Sequence, residues 1–192
     1  MMDSFKKIFL GKTRFQLAWV FAAILILGVR HYPSFLGSLI CLLGALLRYW
    51  ASGFVRKDSE IAIGGPYAQT RNPLYLGTLI MMVGAAFAVN MYGLAVVGLV
   101  LFGVNYHWVI RDEEEYLKEN FKERYARYCS LVPRFVPAFF GPSIDQLLEV
   151  NPNREAFAFS KKLARENKGY EALVTFVALI AGLAVTVWLK NR

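Results

Sequence analysis

Five apolar runs dominate this chain: Phe15 to Val29, Tyr32 to Leu47, Leu74 to Val89, Tyr92 to Ile110 and Ala172 to Leu189. Each approaches the roughly 20 residues a helix needs to cross a bilayer. None shows the polar stripe that a helix on the surface of a soluble bundle must present to water. With 56% of all residues hydrophobic, the chain is also more apolar than an ordinary soluble domain. The expected fold is therefore all-α: a polytopic membrane bundle of about five transmembrane helices.

Charge placement sets the expected orientation. Lys6, Lys7, Lys12 and Arg14 precede the first run, Arg56, Lys57 and Arg71 follow the second, and the whole segment from Arg111 to Glu171 is charged. The turn between the third and fourth runs, Val89-Asn90-Met91-Tyr92, carries no charge. The excess of Lys and Arg puts the N-terminus, the second loop and residues 111–171 in the cytoplasm. The first run is long for a signal peptide and no A-x-A site closes it, so it reads as a retained span. This points to an integral protein of a bacterial inner membrane or an equivalent endomembrane. The net charge of +8 is spread over membrane flanks, so membrane lipids are the expected partners and nucleic acid is not. His31 and His107 fall at different depths and no zinc motif is present, so no metal site is expected. Cys41 and Cys129 suggest no disulfide. Nothing here fixes an oligomeric state.

The tight turn at Val89–Tyr92 makes the third and fourth spans an antiparallel hairpin. Their other ends must then lie close together. Arg71, entering the third span, meets Glu113 and Glu114, leaving the fourth. Span four runs straight into Arg111-Asp112-Glu113-Glu114, and from there no Gly or Pro interrupts until Pro133, which predicts one helix continuing to about Tyr128. On its outer part Leu117, Phe121, Tyr125 and Tyr128 share a face. The prolines of Val132-Pro133-Arg134-Phe135-Val136-Pro137 call for extended chain. Ser143 to Glu149 reads as a short helix with a Ser143/Gln146 capping box. Arg154 to Lys168 reads as an amphipathic helix on the membrane surface, with a lid over a site as the alternative. Ala178, Gly182 and Thr186 form a ridge of small residues suited to close helix packing.

Around the hairpin ends the residues suit a polar ligand. Tyr67 and Tyr75 offer aromatic faces and hydroxyls, Pro66 and Pro73 fix the backbone, and Gly64, Gly65 and Gly77 permit close approach. The carboxylates of Glu113 and Glu114 can balance a cation or accept a proton. Arg71 and Arg111 can hold a carboxylate or phosphate. The alternative is a helix end braced by Arg111 and Glu115 at i,i+4.

Gly65-Pro66-Tyr67 followed by Arg71-Asn72-Pro73-Leu74-Tyr75-Leu76-Gly77 resembles the signature G-P-Y-x-x-x-R-H-P-x-Y-x-G, with H or N at its eighth place. That signature marks the integral-membrane methyltransferases of the isoprenylcysteine carboxyl methyltransferase and phospholipid methyltransferase group. Glu113-Glu114-x-x-Leu117-x-x-x-Phe121-x-x-x-Tyr125-x-x-Tyr128, then Val132-Pro133-Arg134-Phe135-x-Pro137, resembles the group's second motif. The resemblance spans about residues 48–140 and implies S-adenosyl-L-methionine as cofactor, in a pocket on the cytoplasmic face. By resemblance its walls are Tyr67, Arg71, Asn72, Pro73, Tyr75, Leu76, Gly77, Glu113, Glu114, Tyr125, Tyr128 and Arg134. Arg111 and Glu114 are the catalytic candidates. Two positions depart from the pattern: Asn72 stands where many members have His, which removes a titratable base, and Lys122 stands where Gly is usual.

The division this implies is 1–47 for a basic lead-in and two spans, 48–140 for a methyltransferase core, 141–171 for cytoplasmic helices and 172–192 for a last span. The acceptor is expected to be a lipid-like or prenylated amphiphile arriving from the bilayer. Carboxyl O-methylation of the isoprenylcysteine type is the leading expectation and N-methylation of a phospholipid amine the alternative. Two further readings stand beside these. The segment Tyr125 to Pro133 also resembles the end of NADPH-dependent sterol reductases, and a non-catalytic scaffold would retain the same fold.

Overall fold

In the computed structural model residues 16–56 and 59–192 are described. The expected basic lead-in of residues 1–14, and Lys57 in the second loop, lie outside them. The described chain is helical: α1 (Gln16–Gly28), α2 (Phe35–Ser52), α3 (Pro73–Ala88), α4 (Tyr92–Leu131), α5 (Ile144–Val150), α6 (Lys161–Glu166) and α7 (Tyr170–Lys190). Two 3-10 turns, Gly65–Ala68 and Arg154–Phe157, interrupt the connections. Among the described residues α2, α4 and α7 are long and apolar enough to cross a membrane, while α1 and α3 are shorter apolar helices. A helical membrane bundle is thus the architecture.

Inside a bilayer apolar surface gives helices no reason to associate, so close approach of small residues has to supply the attraction. α2 and α3 show this along an antiparallel seam. A β-carbon on Gly37 would lie 2.2 Å from the Ala88 backbone, one on Gly84 2.3 Å from Cys41 N, and one on Gly44 2.6 Å from the Gly77 carbonyl. Leu25, Val29, Cys41, Ala85, Ala86, Val89, Ala95, Leu183 and Val187 form the buried membrane core, drawn from α1, α2, α3, α4 and α7. The Lys190 ammonium closes one end by donating to the Leu27 carbonyl of α1 and to that of Val29 just after it, at 2.8 and 3.0 Å. On α7 the expected ridge is not the contact face. Ala172, Leu183 and Val187 are buried, whereas a β-carbon on Gly182 would meet open space. Packing selected the large side chains at the neighbouring positions over the small ones.

The α3–α4 turn forms as expected. Asn90 takes a left-handed φ of 58°, and the amides of Asn90 and Met91 return to the Phe87 and Ala86 carbonyls. That pattern satisfies the last carbonyls of α3 and reverses the chain in three residues. α4 then leaves the apolar layer and continues to Leu131, with one break: Lys122 has φ 43° and ψ −118°. This is glycine's region of conformational space, and Gly is the usual residue here in the group the sequence resembles.

Beyond the membrane core, the loop-rich side of the molecule has a core of its own. Ile61, Ile63, Tyr125, Tyr128, Val132, Leu147, Val150 and Ala156 are buried together, with Leu117 and Phe121 packed against them. α5 starts on the predicted capping box of Ser143 and Gln146. Arg124 Nε donates to the Val150 carbonyl at the end of α5 at 2.7 Å, a favourable place for a cation. The single amphipathic helix expected over Arg154–Lys168 is not formed. Instead a 3-10 turn, an extended link and the short α6 occupy that stretch. The Phe159 ring packs against Tyr49 and Phe54 at 5.8 and 6.0 Å, and Ser160 N bonds the Gly53 carbonyl. Ser160 Oγ also accepts from Leu163 N and starts a new helix. Tertiary contact and a second cap override the continuous pattern.

Candidate functional site

The site is built where the start of α3 meets the outer part of α4. Pro73 opens α3 at its first position, where a missing N–H costs nothing. The chain before it, residues 65–72, is held by backbone pairing to residues 133–138. Arg71 N donates to the Pro133 carbonyl at 2.9 Å, and Ala138 N to the Gln69 carbonyl at 2.9 Å. Thr70 Oγ1 donates to the Phe135 carbonyl at 2.9 Å, and Asn72 Nδ2 to the Arg134 carbonyl at 2.8 Å. Asn72 therefore joins the two motif segments through its amide.

At the centre the Glu114 carboxylate lies between two guanidinium groups, 3.0 Å from Arg71 Nη1 and 3.1 Å from Arg134 Nε. Glu114 and Arg71 are nearly buried, at 12% and 13% side-chain exposure, while Arg134 is one-third exposed. These contacts are close in distance but not aligned as hydrogen bonds. Arg71 Nε, Glu114 Oε1 and Arg134 Nε are all buried without a hydrogen-bond partner. Buried polar groups are seldom left so, although Glu114 Oε1 and Arg134 Nε each keep an ion-pair partner within the cluster.

Phenols surround this cluster. Tyr125 is buried beside the cluster, and Tyr128 donates to the Tyr67 carbonyl at 2.7 Å. The Tyr67 hydroxyl is buried, and burial and then the Glu113 carboxylate push its ionisation upward, so it remains a donor. Tyr75 donates to Glu113 at 2.8 Å and stands edge-on to Tyr106. Tyr106 is stacked on Phe102 at 3.9 Å.

Arg71, Asn72, Tyr75, Glu113, Glu114, Tyr125 and Arg134 are thus brought together as their motif positions suggest. Tyr67 and Tyr128 adjoin them as buried wall. Leu76 is half-buried on the first turn of α3. Gly77 faces another way: a β-carbon there would meet Arg48 Cγ at 2.6 Å and the Gly44 carbonyl at 2.8 Å, so its smallness serves the α2–α3 seam. Arg111 is exposed, with its guanidinium 5.6 Å over the Trp108 ring, and is not part of the cluster.

Two neighbours escape a sequence reading. Arg48 reaches across from α2 to donate to the Leu74 carbonyl at 3.0 Å and to the Thr78 hydroxyl. Cys129 Sγ lies 2.6 Å from Arg71 Nη1. The only available signal for Cys129 was its position four residues after Tyr125, on the same face.

The nickel-cobalt-cadmium resistance protein NccN of Alcaligenes xylosoxydans xylosoxydans is 30% identical over 129 residues, covering 66% of this chain and 56% of that protein. The cobalt-zinc-cadmium resistance protein CzcN of Cupriavidus metallidurans is likewise 30% identical over 129 residues, covering 66% of this chain and 55% of that protein. The chain thus spans little more than half the length of these curated relatives. No solved structure matches it. Residues 38–124 match the family described as phospholipid methyltransferase, a stretch that takes in most of α2, α3, most of α4 and both carboxylates of the site. Over this segment, somewhat less than half of its length, the chain is similar to the phospholipid methyltransferase family of membrane proteins.

Proposed function

We propose that this protein is an S-adenosyl-L-methionine-dependent methyltransferase whose site faces the cytoplasm and whose acceptor is an amphiphile arriving from the bilayer. The observation that carries this reading is the buried Arg71–Glu114–Arg134 ion cluster, in which Arg71 Nε, Arg134 Nε and Glu114 Oε1 make no aligned hydrogen bond. Two donors and one acceptor side by side suit a zwitterion. The guanidinium groups would hold the cofactor's carboxylate and Glu114 its ammonium, with the phenols of Tyr67 and Tyr75 nearby. The cofactor supplies an electrophilic methyl group on a sulfonium.

The chain's own residues do the rest. The paired segments 65–72 and 133–138 fix the positions of Arg71, Asn72 and Arg134, so little ordering is left to pay at the moment of reaction. Burial of the phenols and charges excludes water and strengthens each polar contact. A carboxyl acceptor is already ionised near neutral pH and needs no base. Arg71 and Arg134 are balanced by Glu113 and Glu114, so Arg111, outside the cluster, is the cation left for an anionic acceptor, and on it rests our reading of carboxyl O-methylation over amine N-methylation. Exposed beside Trp108, Arg111 is the cation that an acceptor's carboxylate would meet first on leaving the apolar layer. For an amine acceptor a base is required. Glu114 is already engaged by two guanidinium groups and would act by position.

The names of the relatives refer to metal resistance. In this chain we take that as a setting for methyl transfer and not as a metal site, because two guanidinium groups around one carboxylate repel a metal cation.

The test is to titrate S-adenosylhomocysteine and, separately, NADPH into the detergent-purified protein while following the unfolding temperature. A ligand that binds the folded state raises it. A rise with S-adenosylhomocysteine that is lost in Arg71→Lys is the expected result. A rise with NADPH alone would replace this reading with that of a reductase, and no response to either would leave a scaffold.

A further inference from the structure

We propose that residues 135–141 form a membrane wedge, which sets the rings of Phe139 and Phe140 and the Val136 side chain into the bilayer beside α4. The inference rests on the membrane assignment of α4 and is independent of methyl transfer.

Phe139 and Phe140 are 98% and 94% exposed, Val136 is 76% exposed and Ile144, close behind, 62%. No charged residue occurs from Phe135 to Ile144. Scattered exposed apolar residues need no explanation, but adjacent bare phenyl rings on an uncharged loop mark an interaction surface. The loop is also stiff. Ala138 N is bonded to the Gln69 carbonyl and the Phe135 carbonyl accepts from Thr70 Oγ1, each at 2.9 Å. Gly141 sits so close to Ala68 that a β-carbon would lie 3.0 Å from its carbonyl oxygen. The rings are therefore held out by a fixed base, which spares them most of the entropy of ordering on insertion.

Depth points to lipid as the occupant. The Phe135 ring lies 6.1 Å from that of Phe102. Phe102 precedes Arg111, the first charge after the apolar run, by nine residues, or about 13 Å of helix rise. The loop thus begins alongside the apolar part of α4, below its charged boundary. There α4 itself exposes Val100, Val104 and Trp108 at four-residue spacing. The wedge is continuous with a face that already needs lipid around it. Phenyl rings at the boundary of headgroups and chains are the usual anchors of such elements. An inserted tip would place Arg134, just before the loop, at headgroup level, where an amphiphile could reach it sideways.

The experiment is electron paramagnetic resonance of a spin label at Phe139→Cys, in vesicles of phosphatidylcholine and phosphatidylglycerol. Oxygen, which concentrates in lipid, and a water-soluble nickel chelate serve as relaxing agents. A label at Glu123→Cys, on an exposed position of outer α4, is the water-side reference. The wild-type chain taken through the same labelling gives the background from Cys41 and Cys129. The wedge requires the label at 139 to be open to oxygen and closed to nickel, the reverse of the label at 123. Equal nickel access at both positions would overturn it and assign the rings to a protein partner. Phe140→Cys gives a second reading if the first variant fails to reconstitute.

Discussion

Glu114 makes two contacts that a hairpin argument and a motif argument supply separately. Arg71 had to be near because the ends of an antiparallel helix pair are near. Arg134 comes from a distant segment, and only its place after Val132-Pro133 brought it into the sequence reading. The structure sets them at 3.0 and 3.1 Å on either side of one carboxylate. Removing a nearly buried charge leaves its partners uncompensated, which costs on the order of 3 kcal/mol. Glu114→Gln is therefore expected to lower stability by about that amount in denaturant titration, and to abolish the S-adenosylhomocysteine response. Arg71→Lys should weaken that response more than Arg134→Lys, because Arg71 is 13% exposed and Arg134 34%. Equal effects would show that burial does not set their roles. Tyr128→Phe deletes the bond to the Tyr67 carbonyl and strands a buried acceptor, a loss of about 1–3 kcal/mol. Arg48 and Cys129 were not legible at this scale. Their contacts with Leu74, Thr78 and Arg71 depend on a register between elements that no local pattern records.

Helix identity was written plainly in the apolar runs, and the Val89–Tyr92 turn, the α5 cap and the extension of α4 followed from local chemistry. What could not be read locally was which face each helix buries. On α7 a ridge of small residues pointed one way and Leu183 and Val187 packed another. Across α2 and α3 the decisive small residues, Gly37, Gly44, Gly77 and Gly84, become significant only when the two helices are laid antiparallel. Gly44→Ala would put a methyl group 2.6 Å from backbone atoms of α3, so it should destabilise the bundle and lower the unfolding temperature. Gly103→Ala is the contrast. Nothing lies within 4 Å of its β-carbon, and it should be neutral or gain up to about 1 kcal/mol from helix propensity. At Lys122 the local preference and the backbone conflict, since φ 43° with ψ −118° strains any side-chain-bearing residue by roughly 1–3 kcal/mol. Lys122→Gly should raise the unfolding temperature without changing ligand response. An unchanged or lower value would mean that the side chain supplies a contact outweighing the strain.

Among the described residues α4 runs through both a membrane core and a loop-rich one, and Ala51, Phe54 and Tyr67 form a smaller third cluster. The second core is closed by a polar clasp at Glu60. Its carboxylate accepts from Asn153 Nδ2 at 2.8 and 3.1 Å and from Asn151 Nδ2 at 3.1 Å, and it faces Arg56 at 3.6 Å. Asn151 also donates to the Ile61 carbonyl at 3.0 Å, so the clasp ties the segment after α5 to the one after α2. Burial alone would raise the pKa of Glu60 and favour its neutral form. The two amide donors and Arg56 outweigh it and hold the pKa below its ordinary 4.5. A carboxyl group depressed in the folded state contributes stability that is full above the unfolded pKa and is lost as pH falls through the folded one. The clasp should therefore hold at neutral pH and open on acidification below 4.5, which frees residues 151–156. Hydrogen exchange of these residues, followed against pH, checks this. Protection should fall in that window, while the Asn90 and Met91 amides of the α3–α4 turn keep theirs. In Glu60→Gln protection should be lower at neutral pH and lose its dependence on pH, because an amide keeps an acceptor for the asparagines but never carries the charge. Loss of protection in both places at one pH would show instead that the two cores unfold as a single unit.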